Sequence, residues 1–394
     1  MLLAKNNDKL CLENILRESI NMKILFLVRS LTVGGAEQQL VEVARGLKRM
    51  GHEVIVLVFY PGGLLEDPLR AANVPVISLG KKRRWDIVTF MGRLLEVLRE
   101  QRADFLYAFF GVSCVLSVFV KRFVPGLKIV WGVRAANVDL SQYDLLYRIA
   151  YGLECRLSNY ADLIIANSHA GREYAIEHRF PSENIVVIPN GIDTERFHPM
   201  HDSGFSVRKE WGVEPHEKLI GLVARLDPMK DHPTFIKAAS LVAEKRYDVK
   251  FVCIGDGPVE YKKYLMRLVI DIGLENKLIW AGECRDMPAV YNALDVAALS
   301  SHGEGFPNVI GEAMACEVPC VVTDVGDSAL IVGDTGIVVK PRDPEALAAG
   351  MNNLLVKVEK YRVEETFKAR KRICAYFGIE AMVSQTEKAL SGLQ

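Results

Sequence analysis

KLIGLVARLDPMKDH, residues 218–232, is a strand-sized apolar run that breaks into a polar turn and then opens a helical pattern. MKILFLV, residues 22–28, starts the same rhythm far earlier in the chain. Short continuous apolar runs read as strands buried on both faces, and alternation with helical patterns reads as a parallel α/β sheet. In the first half the runs are KILFLV (23–28), HEVIVLVF (52–59), VPVISL (74–79), ADFLYAF (103–109), KIVWGV (128–133), DLIIANS (162–168) and NIVVIPN (184–190). Amphipathic segments separate them, such as 36–50, closed by Gly51, and 86–101. After residue 218 the rhythm continues through VKFVCIG (249–255), KLIWAG (277–282), VAALSS (296–301), PCVVTDV (319–325) and GIVVK (336–340). The pattern predicts two facing Rossmann-like domains, each a parallel sheet flanked by helices, with the ligand-binding carboxyl ends of the strands toward a shared cleft.

Between the two series, PNGIDTERFHPMHDSGF (189–205) replaces periodic hydrophobics with Pro, Gly, Asn and Asp, which marks a hinge. A chain of 394 residues also exceeds what one core supports, so two domains of roughly 150–200 residues are expected. The boundaries read as an extension at 1–21, a first Rossmann-like domain at 22–198, a second at 199–376, and a C-terminal helix at 377–394 returning to the first domain. Residues 1–21 mix charges with leucines without the order of a signal peptide, and no function is assigned to them.

Charge excludes one class of partner. The 49 basic and 49 acidic residues cancel, so anion binding has to come from locally placed groups and nucleic acid is not expected. The eight cysteines are scattered with no CxxC pair, which disfavours disulfides and zinc and fits a reducing cytoplasm. Apolar runs are too short to span a bilayer. One cluster, Lys81, Lys82, Arg83, Arg84 and Trp85, suits peripheral contact with anionic lipid at the inner face of the membrane; the alternative is a solvated loop. Such a cluster contributes only about 1 kcal/mol per charge near a charged membrane.

The chemistry concentrates in EGFPNVIGEAM, residues 304–314. Glu304 precedes a helix that Pro307 helps to open, and Glu312 lies about one turn inside it. The free N–H groups of the helix start fall between the two carboxylates, a place for a diphosphate with sugar hydroxyls on one side and ribose hydroxyls on the other. Arg225 and Lys230 follow the strand at 218–223, at the same end of the sheet. A unit charge about 4 Å from a phosphate oxygen is worth roughly 4 kcal/mol at an effective dielectric of 20, enough to stabilise a departing nucleotide diphosphate. In the first half, Gly34 and Gly35 bring backbone close to a ligand at a helix start. The nearest approach to a dinucleotide fingerprint, Gly255-Asp256-Gly257-Pro258, lacks the third glycine, which disfavours a nicotinamide cofactor.

Taken in order, GGAE (34–37), IIANS (164–168), PNGID (189–193), ARLDPMKD (224–231), IGDGP (254–258) and EGFPNVIGEAM (304–314) resemble the retaining glycosyltransferases of family 4, the group 1 glycosyltransferases of GT-B fold. The resemblance covers nearly everything from Met22 onward. It implies that Arg225, Lys230 and Glu304 are the catalytic set, with Arg225 and Lys230 on the donor diphosphate and Glu304 on the donor sugar. Glu312 would hold the ribose. Gly34, Gly35, Gly305, Phe306, Pro307 and Asn308 would complete donor binding. It also implies a nucleotide-diphosphate sugar as co-substrate, a glycan or lipid-linked glycan acceptor, front-face attack and no metal or other cofactor. No Asp-x-Asp triplet occurs in the chain.

One position departs from the family. Where many members carry a histidine after the strand at 103–109, this chain has Phe110 and Gly111, so no catalytic histidine carries over. His169 and His302 lie near motif positions but rank behind a capping or surface role. Arg134 is an acceptor-side candidate with a structural role ahead of it. Asn190, Gly191 and Asp193 are better explained by hinge structure than by chemistry. The competing readings are an epimerase or phosphorylase of related architecture, though no lysine motif marks a pyridoxal phosphate site, and a non-catalytic sugar-nucleotide sensor.

Overall fold

A computed structural model of the chain describes residues 21–32, 34–81, 86–134 and 145–394. The extension at 1–20 and the basic-aromatic residues Lys82, Arg83, Arg84 and Trp85 lie outside the described residues.

The first sheet contains β1 (Lys23–Val28), β2 (Glu53–Val58), β3 (Val76–Ser78), β4 (Phe105–Phe109), β5 (Lys128–Val133), β6 (Leu163–Ala166) and β7 (Ile185–Val187), in the order β3-β2-β1-β4-β5-β6-β7. The second contains β8 (Lys218–Val223), β9 (Val249–Ile254), β10 (Leu278–Gly282), β11 (Val296–Leu299), β12 (Cys320–Thr323) and β13 (Ile337–Val339), in the order β10-β9-β8-β11-β12-β13. The central pairings β1–β2, β1–β4, β8–β9 and β8–β11 are all parallel. These are two Rossmann-like sheets flanked by helices, as the alternating runs predict.

In each sheet the strand order reverses beside its first strand. β1 sits between β2 and β4, and β8 between β9 and β11. Loops leaving the two central strands diverge there and leave a crevice at the carboxyl ends. Burial explains why the strands are unbroken apolar runs: Ile24 through Val28 are all fully buried, with helices covering both faces. The helix Gly35–Arg49 buries Leu40, Val43, Ala44 and Leu47 along one stripe, with Glu37 in its first turn and Lys48 and Arg49 in its last to complement its dipole.

By contacts the chain divides into two units. One holds residues up to 132, 157–164 and those from Val383 onward; the other holds 133–156 and 165–382. The division does not follow the sheets, since the helix His169–Glu177 and β7 group with the second unit. The last helix, Ile379–Ser391, enters the first unit at Val383, and a Cβ on Gly46 would lie 2.3 Å from a Val383 methyl. Gly46 is therefore the gap that admits Val383.

Within the second unit, the turn at 190–193 is fastened to the end of the long helix Pro344–Tyr376. The Ile192 amide donates to the Phe377 carbonyl at 2.7 Å and the Ile379 amide to the Ile192 carbonyl at 3.3 Å. A Cβ on Gly191 would lie 2.8 Å from the Ile379 Cα, which leaves no room for a side chain. The Asp193 carboxylate accepts the amides of Glu195 and Arg196. Asn190 is buried; its carbonyl oxygen accepts from Arg134 at 3.1 Å and its amide donates to Asn308 at 2.8 Å. These residues are structural ties, and through Asn190 they reach the first residue of the helix Asn308–Ala315.

Candidate active site

At the switch point of the second sheet, the loops leaving β8 and β11 are knitted together. Asp227 caps the turn Pro228–Lys230 by accepting the Met229 amide at 2.9 Å, and Asp231 adopts a left-handed φ of 48°. From the β11 side, the His302 amide donates to the Met229 carbonyl at 3.0 Å and the Ser300 hydroxyl to the Lys230 carbonyl at 2.8 Å. The Lys230 backbone is thus held by residues distant in sequence.

Its side chain is held as well. Lys230 Nζ lies 2.6 Å from Glu304 Oε1, and both side chains are largely buried, at 18 % and 10 % exposure. The Ser301 hydroxyl donates to the same Oε1 at 2.7 Å. The Thr323 hydroxyl on β12 in turn donates to the Ser301 carbonyl at 2.6 Å. Ser300, Ser301 and Thr323 are all fully buried. Oε1 is doubly occupied, while among the described residues no group is hydrogen-bonded to Oε2. A carboxylate fixed through one oxygen and open at the other is preset to accept a hydroxyl, and a largely buried lysine beside it is preset for an anion.

Arg225 differs. Its side chain is 78 % exposed, with Asp227 4.0 Å away. The backbone around it is tightly placed by the IGDGP glycines: a Cβ on Gly255 would lie 2.2 Å from the Ala224 carbonyl oxygen, and one on Gly257 2.3 Å from that of Leu226. Gly255, at φ +129°, and Gly257 serve this close approach.

Glu312 is engaged from within the protein. The Tyr291 hydroxyl donates to its Oε2 at 2.8 Å, and Tyr291 is fully buried. Burial pushes the Glu312 carboxyl above the usual range, against the opposing pull of the Tyr291 hydrogen bond and of Arg196. Phe306 is a core side chain, buried against Phe377 with ring centroids 5.6 Å apart, so only its main chain is available to a ligand. Pro307 is the residue before the helix Asn308–Ala315, where it serves as the cap position and not as the first helical residue. Asn308 Oδ1 accepts from Asn190, and the Gly305 carbonyl accepts the Asp327 amide at 2.9 Å.

Gly34 and Gly35 lie in the first unit, where Gly34 is the extended cap residue and Gly35 the first residue of its helix. Arg134 is bound to Asn190, which favours its structural role. His302 contributes its amide to the β8 loop, and His169 donates its amide to Asp327. Of the basic-aromatic cluster, Lys81 is the one described residue: its ammonium is paired with Asp86 at 2.7 Å and lies over the Phe90 ring, with the side chain 13 % exposed. Cys374 is exposed and Cys155 part-exposed, unlike the buried Cys114, Cys253, Cys316 and Cys320. Among the described residues no helix is long and apolar enough to cross a membrane.

Sequence reasoning missed Ser300, Ser301, Thr323 and Tyr291. A Ser-Ser pair at a strand exit reads as an ordinary turn, and Thr323 and Tyr291 read as strand and core residues. The only available signal was their position beside the switch-point strands.

Comparison with known proteins agrees with this architecture. The family model described as Glycosyltransferase Family 4 matches residues 33–196, and that described as Glycosyl transferases group 1 matches residues 217–357. The chain is 26 % identical over 372 residues to the N-acetyl-alpha-D-glucosaminyl L-malate synthase of Bacillus anthracis, covering 90 % of this chain and 93 % of that protein. It is 26 % identical over 300 residues to the UDP-Gal:alpha-D-GlcNAc-diphosphoundecaprenol alpha-1,3-galactosyltransferase of Escherichia coli, covering 75 % and 76 % of the two chains. Among solved structures, Anabaena HepE in complex with UDP-glucose superimposes with a TM-score of 0.80 at 25 % identity, covering 94 % of this chain and 100 % of that one. A glycosyltransferase from Rickettsia africae gives 0.81 at 19 % identity, covering 95 % and 99 %, which speaks for the fold. With matches to both halves and a shared fold over 94 % of the chain, the chain belongs to the family 4, group 1 glycosyltransferases and is an enzyme of that class.

Proposed function

We propose that this enzyme transfers a hexose-type sugar from a nucleotide-diphosphate donor to a glycan or lipid-linked glycan acceptor in cell-surface polysaccharide synthesis, with retention of configuration and without a metal. The observation that carries the reading is the Lys230–Glu304–Ser301 cluster at the second switch point, with one carboxylate oxygen open. Lys230, joined by Arg225, takes the charge that develops on the leaving diphosphate, and Glu304 accepts a donor-sugar hydroxyl. The main chain from Gly305 to Asn308 approaches the donor, and Glu312 takes the ribose through the oxygen that Tyr291 leaves open. In the transfer step the acceptor hydroxyl oxygen bonds to the anomeric carbon from the face of the departing phosphate. The bond from that carbon to the phosphate oxygen breaks, and the hydroxyl proton passes to the leaving diphosphate.

The names of relatives support the substrate classes. The Escherichia coli relative uses a UDP-sugar and a diphosphoundecaprenol-linked acceptor, and the Anabaena neighbour was crystallised with UDP-glucose. On this reading the reaction runs at the cytoplasmic face of a membrane, with the protein associated peripherally.

A thermal-shift screen against UDP- and GDP-sugars tests the proposal, because a ligand selective for the folded state raises its apparent stability. One nucleotide sugar is expected to raise the melting temperature at millimolar concentration, without added divalent metal and unchanged by a chelator. A screen in which no nucleotide sugar shifts the transition, or in which the shift requires a metal, overturns it.

A further inference from the structure

Asp327 lies in the turn after β12, outside every motif that pointed to the site. Its side chain is buried, at 4 % exposure, and both of its oxygens are used. Oδ2 accepts the His169 amide at 2.8 Å and Oδ1 the Ala170 amide at 3.1 Å. These are the first two amides of the helix His169–Glu177, whose cap residue, Ser168, accepts the Gly171 amide at 2.9 Å. Three donors that a helix start leaves without intrahelical partners are thus served, two by a residue more than 150 positions away.

The other side of Asp327 faces the sugar loop. Its amide donates to the Gly305 carbonyl at 2.9 Å. Beside it, Gly326 at φ +56° runs so close that a Cβ there would lie 2.5 Å from the carbonyl oxygens of both Glu304 and Gly305. A residue that served only as a cap would not need to lie against this loop, and a loop tie would not need a carboxylate locked by two amides.

We infer that Asp327 is a positioning residue for Glu304. Its carboxylate is anchored on the start of the helix His169–Glu177, and from that anchor its amide holds the main chain of Gly305 and so the placement of the neighbouring Glu304 carboxylate. The inference rests on the reading of Glu304 as the donor-sugar contact. Replacing the carboxylate by an amide sets an N–H donor against an N–H donor, releases the anchor and loosens the loop, while the Lys230 backbone keeps its own supports from Ser300 and His302.

The test compares wild type, Asp327→Asn, Asp327→Glu and Ser168→Ala by calorimetric titration with UDP, UDP-glucose, GDP and GDP-mannose, using whichever pair wild type binds. Ser168→Ala removes the other cap of the same helix without touching Gly305, so it reports what a merely structural lesion does. Asp327→Asn is expected to leave affinity for the nucleoside diphosphate within about twofold and to weaken the sugar nucleotide about tenfold, the scale of one lost charge-assisted hydrogen bond. Asp327→Glu, which keeps the charge but misplaces it, is expected to show the same selectivity at smaller size and stands in if the asparagine variant does not fold. Ser168→Ala is expected to lower the melting temperature and leave the ratio of the two affinities alone. Equal losses for both ligands in the Asp327 variants, no loss in either, or the same selective loss in Ser168→Ala overturns the inference while leaving the donor site standing. Failure of wild type to bind any of the four ligands overturns the donor reading and the inference together.

Discussion

The two sheets turn over their strand order at equivalent places and differ in what leaves them there. From β8 and β11 come Lys230, Ser300, Ser301 and Glu304, fixed by side-chain hydrogen bonds and mostly buried. From β1 and β4 come Gly34 and Gly35 on one side and Phe110 and Gly111 on the other, and Phe110 is held at φ 67° and ψ 149°. One end presents charges whose desolvation is already met by partners; the other presents backbone and an aromatic ring in a conformation L-residues seldom adopt. Preset charge suits a ligand part that never varies, such as a diphosphate. Glycine and aromatic surface leave the chemistry of their ligand open.

The largest effect expected from this contrast separates the two cations of the charged end. Lys230→Met is expected to lower kcat for sugar transfer by about 10²–10³-fold, the scale seen when one preorganised electrostatic contact to a transition state is removed. Arg225→Met is expected to lower it less than about tenfold, because the guanidinium is mostly in water and has no short ion pair to hold its position. Steady-state rates on the donor found by the thermal screen decide it; equal losses would break the distinction between fixed and loose charge.

A second effect sharpens the contrast through stability. His232, the first residue of the helix His232–Ala243, is completely buried, and neither ring nitrogen has a hydrogen-bond partner among the described residues. Burial lowers its pKa to about 4. The unfolded imidazole takes up a proton below about 6.5 while the folded one stays neutral, so folding stability is lost as pH falls from 6.5 toward 4. The total is on the order of 3 kcal/mol. In urea titrations, His232→Leu is expected to lose that much less than wild type between pH 7.5 and 4. Identical losses would show that the ring is not buried neutral beside the charged loop.

The smallest effect concerns the other end. Phe110→Gly is expected to leave stability within about 1 kcal/mol of wild type, since relief of the positive φ offsets the lost ring contacts and the entropy of glycine. A melting temperature lower by many degrees would mean that the ring is a packing element and that the apolar end is as fixed as the charged one.

The order of these elements was readable before any coordinates. β1 and β8 announce themselves because strands covered on both faces have to be continuous apolar runs, and Lys230 and Glu304 stand in motifs at the exits of neighbouring strands. What could not be read depends on long-range pairing. Ser301 looks like a turn serine until Glu304 and the Thr323 hydroxyl are placed around it. Asp327 looks like a solvent-facing turn residue because its partners, His169 and Ala170, lie in another part of the sequence. The motif around Phe306 points it toward a ligand, whereas its ring joins Phe377 in the core. Lys81 stands in a basic run, and the run does not reveal its pairing with Asp86, five residues on.

The seating of Val383 against Gly46 has a consequence for how the polypeptide emerges from the ribosome. The unit that begins with β1 includes the residues from Val383 onward, so it stays unfinished while the whole of the second unit is being synthesised. During that interval the Gly46 stripe of the helix Gly35–Arg49 is bare apolar surface on a nascent chain, the kind that chaperones bind. A chaperone-depleted translation reaction should therefore aggregate this protein before release and not after it.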